Sequence, residues 1–143
     1  MLNEFTKKIE SSSKSGAYLL ALLGALSLID ICGALASSNG EASKAEFCKW
    51  FDEYVAPAYR GNLDGETCYY FRCSFLHQGR TTHTKSQYKR IVFCEPTDKF
   101  LLHNNLINDV LNIDVPTFCD DVCSGVEKYY KDRNGDKIGR AHV

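Results

Sequence analysis

Between Tyr18 and Ala36 the chain reads YLLALLGALSLIDICGALA, nineteen residues with one charge, Asp30. A stretch this apolar must be covered by something, and three covers fit it. A bilayer needs about 20 apolar residues in a helix, and a central Asp would cost roughly 2.5–3.5 kcal/mol there. A secretory signal is the second reading. Lys7, Lys8 and Lys14 precede the run, and Ala34-Leu35-Ala36 before Ser37 has the small-residue pattern of a cleavage site. Against it, Glu4 and Glu10 dilute the basic segment and Asp30 interrupts the apolar one. The third cover is protein: a helix buried on nearly all sides as the central member of a bundle. Gly24, Ala25, Gly33 and Ala34 would let neighbouring helices approach closely, and this reading is preferred.

The 143 residues suit a single domain with one core. Lys and Arg total 17 against 18 Asp and Glu, a net charge of -1. That excludes a uniformly polybasic nucleic-acid binder and an acidic disordered chain, so any nucleic-acid site has to be a local patch. The seven cysteines are Cys32, Cys48, Cys68, Cys73, Cys94, Cys119 and Cys123. An odd count argues against a closed disulfide framework, although cleavage after Ala36 would remove Cys32 and leave six. Reduced, buried thiols in a cytoplasmic protein are the preferred reading.

Local signals mark the other elements. Leu2, Phe5 and Ile9 have the spacing of a short amphipathic helix before the apolar run. Ser37-Ser38-Asn39-Gly40 is a turn cluster, and Ser43 with Glu46 forms a capping box. Phe47, Phe51 and Val55 then share a helix face, with Trp50 and Tyr54 beside it, until Pro57 ends or bends the helix near Val55. Arg60-Gly61-Asn62 is a loop, and Asp64 predicts an N-cap for a helix over about 65–78, with Gly79 closing it. The stretch 81–87 reads as a loop. Ile91-Val92-Phe93 and Phe100-Leu101-Leu102, flanking Glu95-Pro96-Thr97-Asp98, predict a β-hairpin, an insertion spanning about 87–113. Residues 106–113 would extend it or add a strand. Asp114 and Pro116 start a last helix whose apolar face is Val115, Phe118, Val122, Val126 and Tyr129. The expected fold is mainly α, a bundle of four to five helices with a small β insertion, in one domain over 1–143.

Chemistry concentrates in Tyr69-Tyr70-Phe71-Arg72-Cys73-Ser74-Phe75-Leu76-His77-Gln78-Gly79. Arg72 offers a permanent forked cation for phosphate oxygens, and His77 can exchange a proton near neutral pH. Five positions on a uniform helix separate two side chains by about 140°, so both reach one phosphate only if the helix opens or a second chain completes the site. Between Glu66 and Glu95 the chain has no acidic residue, while Arg72, Arg80, Lys85, Lys89 and Arg90 fall there with His77 and His83. Tyr69, Tyr70 and Tyr88 add stacking faces, a combination suited to single-stranded RNA. The plainer alternative is a solvated basic loop, with Arg72 in a salt bridge and His77 near the last carbonyls of its helix.

Arg72-Cys73-Ser74-Phe75-Leu76-His77, in a helix that follows a long apolar one, resembles the HEPN superfamily. That family consists of small helical bundles whose R-x(4–6)-H motif marks metal-independent endoribonucleases, toxins and antiviral nucleases among them. The resemblance covers about 17–131 in architecture but one short motif in residues. It implies that Arg72 holds the scissile phosphate and that His77 serves attack by the ribose 2′-hydroxyl, leaving a 2′,3′-cyclic phosphate. It also implies a homodimer with a composite site, no metal or other cofactor, RNA as partner, and an antitoxin or other regulator. Ser74, Gln78, Arg80, Lys85 and Tyr70 are then candidate substrate contacts. Cys73 departs from the family, where Asn, Asp or His often follows the Arg, and a thiol is a weaker hydrogen-bonding group.

Other constellations are weaker. Cys119 and Cys123, like Cys73 and His77, lie one helical turn apart, but no close CxxC pair accompanies them to complete a zinc site. Cys68 or Cys73 as a nucleophile beside His77 has apolar neighbours that favour packing. Asp132 to Asp136 opens like a calcium loop, yet Lys137 stands where Gly is needed. His103 and His142 look isolated. Two rivals to the nuclease remain: a non-catalytic HEPN-like interaction module, and a secreted disulfide-bonded domain starting at Ser37.

Overall fold

The computed structural model describes residues 1–78 and 90–141, with side chains over 1–75, 91–134. The expected Gly79 cap, the 81–87 loop, and Arg80, Lys85 and His142 lie outside the described residues. Within them the chain forms α1 (Leu2–Lys14), α2 (Tyr18–Ala36), α3 (Lys44–Tyr54), a 3₁₀ turn (Ala56–Tyr59), α4 (Gly65–Gln78), β1 (Arg90–Cys94), β2 (Asn105–Ile107), β3 (Val110–Asp114) and α5 (Val115–Ala141). The protein is mainly helical with a small sheet.

The apolar run is the central helix. α2 packs against α1, α3 and α5, and Ala21, Leu22, Ala25, Leu26, Leu28, Ile29, Cys32 and Gly33 are buried there. Both ends are open: Leu19 and Leu20 in the first turn are 59% and 65% exposed and Leu35 in the last is 38% exposed, so the buried stretch runs between Ala21 and Gly33. By length and hydropathy alone Tyr18–Ala36 would also span a bilayer. Its small residues allow close approach. A Cβ on Gly24 would sit 3.0 Å from the Ile9 side chain, and one on Gly33 would sit 2.9 Å from the Glu46 carbonyl oxygen.

The helix ends follow their capping chemistry. Ser43 Oγ accepts from the Glu46 amide at 3.2 Å, and Asp64 Oδ1 accepts from the Thr67 amide at 2.8 Å. Asp114 Oδ2 accepts from both the amide and the hydroxyl of Thr117, at 3.1 and 2.6 Å. Pro57 stops α3 at Tyr54 and turns the chain through the 3₁₀ segment into Arg60, whose φ is 53°. The expected face of α5 is buried throughout, from Val115 to Tyr129. α5 continues as helix through residues 132–136, the stretch whose sequence opens like a calcium loop.

The β segment differs from the expected hairpin. Phe100-Leu101-Leu102 forms no strand, and Phe100 and Leu101 are 62% and 66% exposed. β1 instead pairs in parallel with β3, Ile91 opposite Leu111 and Phe93 opposite Ile113. The hairpin is β2–β3, antiparallel, with Ile107 opposite Val110 and a two-residue turn between them. Asn108 and Asp109 both take positive φ, 51° and 63°, as the favoured tight hairpin turn requires. The sheet order is β1-β3-β2. Its inner face sets Phe93 against Phe71 of α4, tilted by 44° with ring centres 4.6 Å apart, and edge-on to Phe118 of α5 at 5.0 Å.

The α4 start is pressed on α3: a Cβ on Gly65 would lie 2.6 Å from the Cys48 Cα. Gly33→Ala and Gly65→Ala therefore force backbone apart rather than a flexible side-chain tip. Each is expected to lower stability by about 1–3 kcal/mol, read as a reduced urea midpoint at unchanged slope.

Candidate functional site

Arg72 sits on α4, facing α2. Its Nε donates to Asp30 Oδ2 at 2.6 Å, with the two side chains 22% and 19% exposed. The lone charge of the apolar run thus has a partner 42 residues away, which removes the conflict between Asp30 and its apolar neighbours. Burial by itself would lower the Arg72 pKa; the charge and hydrogen bond of Asp30 offset this and move it upward overall. The cation is permanent either way.

Two more groups bound the guanidinium. Its central carbon lies 5.7 Å from the centre of the Tyr69 ring, and Nη1 lies 4.0 Å from Cys73 Sγ. Burial, then a hydrogen bond with Cys73, pushes the Tyr69 hydroxyl upward. The Asp30 contact occupies Nε, the inner nitrogen, so the outer Nη edge meets only the soft thiol of Cys73 among the groups just named. That outer edge is one of the two that can fork onto a carboxylate or phosphate.

α4 is helical through Gln78, which places His77 and Gln78 in its last turn. The Arg72 and His77 positions are then about 140° apart around the axis, as expected for regular helix. Ser74 and Tyr70 are inside, at 4% and 7% exposure. The Tyr70 hydroxyl accepts from Lys44 Nζ at 2.6 Å and donates to Glu66 at 3.0 Å, while Lys44 also lies 4.5 Å from the Tyr70 ring centre. In the free chain Tyr70 therefore ties α4 to the first residue of α3. Burial gives Ser74 and Tyr70 packing roles in this structure.

The thiols are placed for packing as well. All seven cysteines are free, and Cys32, Cys68, Cys119 and Cys123 are buried. Burial pushes the Cys32, Cys119 and Cys123 thiols up to about 12, and Cys68 well above its ordinary value. A thiol that stays protonated at neutral pH is no nucleophile, which disfavours Cys68 beside His77. Among the described residues no three His, Cys, Asp or Glu side chains gather as a metal site.

His103 is not isolated, contrary to the sequence reading. Its Nδ1 accepts from the Asp114 amide at 3.2 Å, its Nε2 lies 3.8 Å from Asp121 Oδ2, and its ring stands edge-on to Tyr59 at 5.3 Å. Burial raises the Asp121 carboxylate, and the neighbouring Tyr59 and His103 offset part of that rise. Asn104, at φ 58°, donates to the Tyr59 carbonyl and accepts from Asn62. Together these residues fasten the segment between β1 and β2 to the start of α5. No local spacing marks them, because the partners are Tyr59, Asp114 and Asp121, on three different elements.

No family model matches the chain, and no curated protein and no solved structure matches it.

Two outcomes are expected from this geometry. His103→Ala leaves the Asp114 amide without its acceptor and should cost about 1–3 kcal/mol, with faster amide hydrogen exchange at Asp114. Cys32, Cys119 and Cys123 should resist alkylation in the native protein from pH 7 to 9, because a raised pKa keeps the thiolate scarce until pH nears 12. Denaturation without reductant should then expose seven reactive thiols.

Proposed function

We propose that this chain is a metal-independent endoribonuclease of the HEPN type, cytoplasmic and homodimeric, with Arg72 and His77 as its catalytic pair. The observation that carries the reading is that Arg72 and His77 lie five positions apart on one helix and that Arg72 keeps 22% exposure, although its pairing with Asp30 is also what the plainer salt-bridge alternative expects. The composition around it adds to this, since 67–94 holds basic and aromatic residues and no acidic one.

In this mechanism Arg72 binds the non-bridging oxygens of the scissile phosphate and draws charge from phosphorus. The ribose 2′-oxygen attacks phosphorus, the bond from phosphorus to the 5′-oxygen breaks, and that oxygen takes up a proton. His77 takes the proton from the 2′-hydroxyl or delivers one to the 5′-oxygen. The products are a 2′,3′-cyclic phosphate and a 5′-hydroxyl. Because positions 72 and 77 fall about 140° apart around one helix, this reading needs two α4 helices facing each other to supply both roles to one phosphate. Gln78, Arg80 and Lys85 are the substrate contacts this reading retains.

A second reading, a non-catalytic HEPN-like module that binds RNA or protein, is favoured by Cys73 beside Arg72 and by the commitment of Nε to Asp30. Turnover separates the two. In EDTA, purified protein should cleave single-stranded RNA to cyclic-phosphate ends. Arg72→Ala and His77→Ala should each lower the rate about 10²- to 10³-fold, the loss expected for one transition-state contact. Folded wild type that binds RNA and shows no cleavage above these variants would leave the binding module as the function.

A further inference from the structure

We propose that Asp30 is a positioning residue for Arg72: by accepting from Nε on the rigid central helix it turns the outer Nη edge toward the substrate phosphate. This rests on the ribonuclease reading above.

Three observations lead there. The first is where Asp30 sits. It is the one charge in α2, and α2 packs against α1, α3 and α5, so its carboxylate is carried by a helix held on three sides. Leu26, Ile29 and Gly33, on adjoining turns, are buried. The second is which nitrogen it holds. A carboxylate can fork onto a guanidinium side-on, through Nε and one Nη, or end-on, through both Nη groups. The 2.6 Å contact is to Nε. That contact restrains rotation about the bond into the guanidinium and leaves the Nη groups, of which Nη1 meets Cys73 Sγ, outside the Asp30 pairing.

The third observation is what surrounds the remaining edge. Nη1 has Cys73 Sγ at 4.0 Å, a soft and weak partner that a phosphate oxygen displaces at little cost. Tyr69 covers one face of the plane at 5.7 Å and limits the motion that Asp30 leaves. Arg carries large rotamer freedom, so an unheld Arg72 would have to be ordered in each catalytic cycle.

This arrangement makes an asymmetric prediction. Asp30 places a negative charge beside the cation that binds RNA, so its removal strengthens ground-state attraction while loosening the geometry needed in the transition state. The experiment measures kcat and KM in EDTA on a single-stranded oligoribonucleotide, for wild type, Arg72→Ala, Asp30→Ala and Asp30→Asn. Melting curves and circular dichroism establish the folded fraction. Asp30→Ala is expected to lower kcat about 10- to 100-fold, the penalty of a misplaced catalytic group, with KM unchanged or lower. Asp30→Asn still accepts from Nε through its amide oxygen and should restore kcat to within about threefold of wild type. Where Asp30→Ala does not fold, Asp30→Leu, which suits the apolar helix and also removes the acceptor, takes its place with the same expectation.

A merely structural Asp30 would shift the melting temperature and leave the kcat of the folded protein intact. Wild-type kcat in folded Asp30→Ala or Asp30→Leu, or a rise in KM at unchanged kcat, overturns the positioning role while the ribonuclease reading stands. No cleavage by wild type, or cleavage that Arg72→Ala does not reduce, overturns the ribonuclease reading and this inference with it.

Discussion

Everything in this fold is arranged around covering α2. Its leucines and isoleucines each gain roughly 1.5–3 kcal/mol when taken out of water, and no face of the helix from Ala21 onward offers a polar alternative except Ser27 and Asp30. Ser27 meets its need locally, donating to the Leu23 carbonyl at 2.9 Å. Asp30 cannot do so, and its need is met only when α4 brings Arg72 within 2.6 Å. α1, α3 and α5 cover the remaining sides. The small residues decide how tightly they do it. At Gly33 the backbone of α3 approaches to a distance that any side chain would forbid.

Placing α4 is the second constraint, and it uses polar contacts where α2 uses apolar ones. Asp52 of α3 accepts from the Gly65 amide at 2.6 Å, and Asp64 accepts from Thr67, so the first amides of α4 are satisfied from two directions. Lys44 pairs with Glu66 and with the Tyr70 hydroxyl on the same side. Further along, Phe71 and Phe75 stack, and Phe71 meets Phe93 of the sheet. The helix that carries the candidate catalytic pair is therefore held at its start by hydrogen bonds, at its middle by an ion pair, and along its inner side by rings. An Arg fixed on such a support is preorganised before any ligand arrives.

How much of this was legible in the sequence depends on the range of the interaction. The caps at Ser43, Asp64 and Asp114 involve residues three apart and could be read directly. So could the inner face of α5, because its period is a property of the helix itself. The hairpin was misplaced because Glu95-Pro96-Thr97-Asp98 is a strong turn signal, whereas the turn actually used is Asn108-Asp109 between Ile107 and Val110. The parallel pairing of β1 with β3 had no local signal at all, since a parallel partner is set by what both strands pack against. Phe93 and Ile113 are paired because Phe71 and Phe118 await that face.

The sequence by itself determined the helices, their caps, the apolar identity of α2 and the presence of an Arg and a His five positions apart on one helix. Each of these follows from contacts within about one turn, where neighbouring residues already dictate backbone geometry. Only the tertiary structure decided what Asp30 pairs with, which nitrogen of Arg72 it takes, that Ser74 and Tyr70 are buried, and that His103 holds a loop to α5. Those answers rest on pairs separated by 11 to 42 residues, such as His103 with Asp114 and Asp30 with Arg72. Chain spacing says nothing about such pairs. They form only when burial of the apolar surface has already brought the elements together.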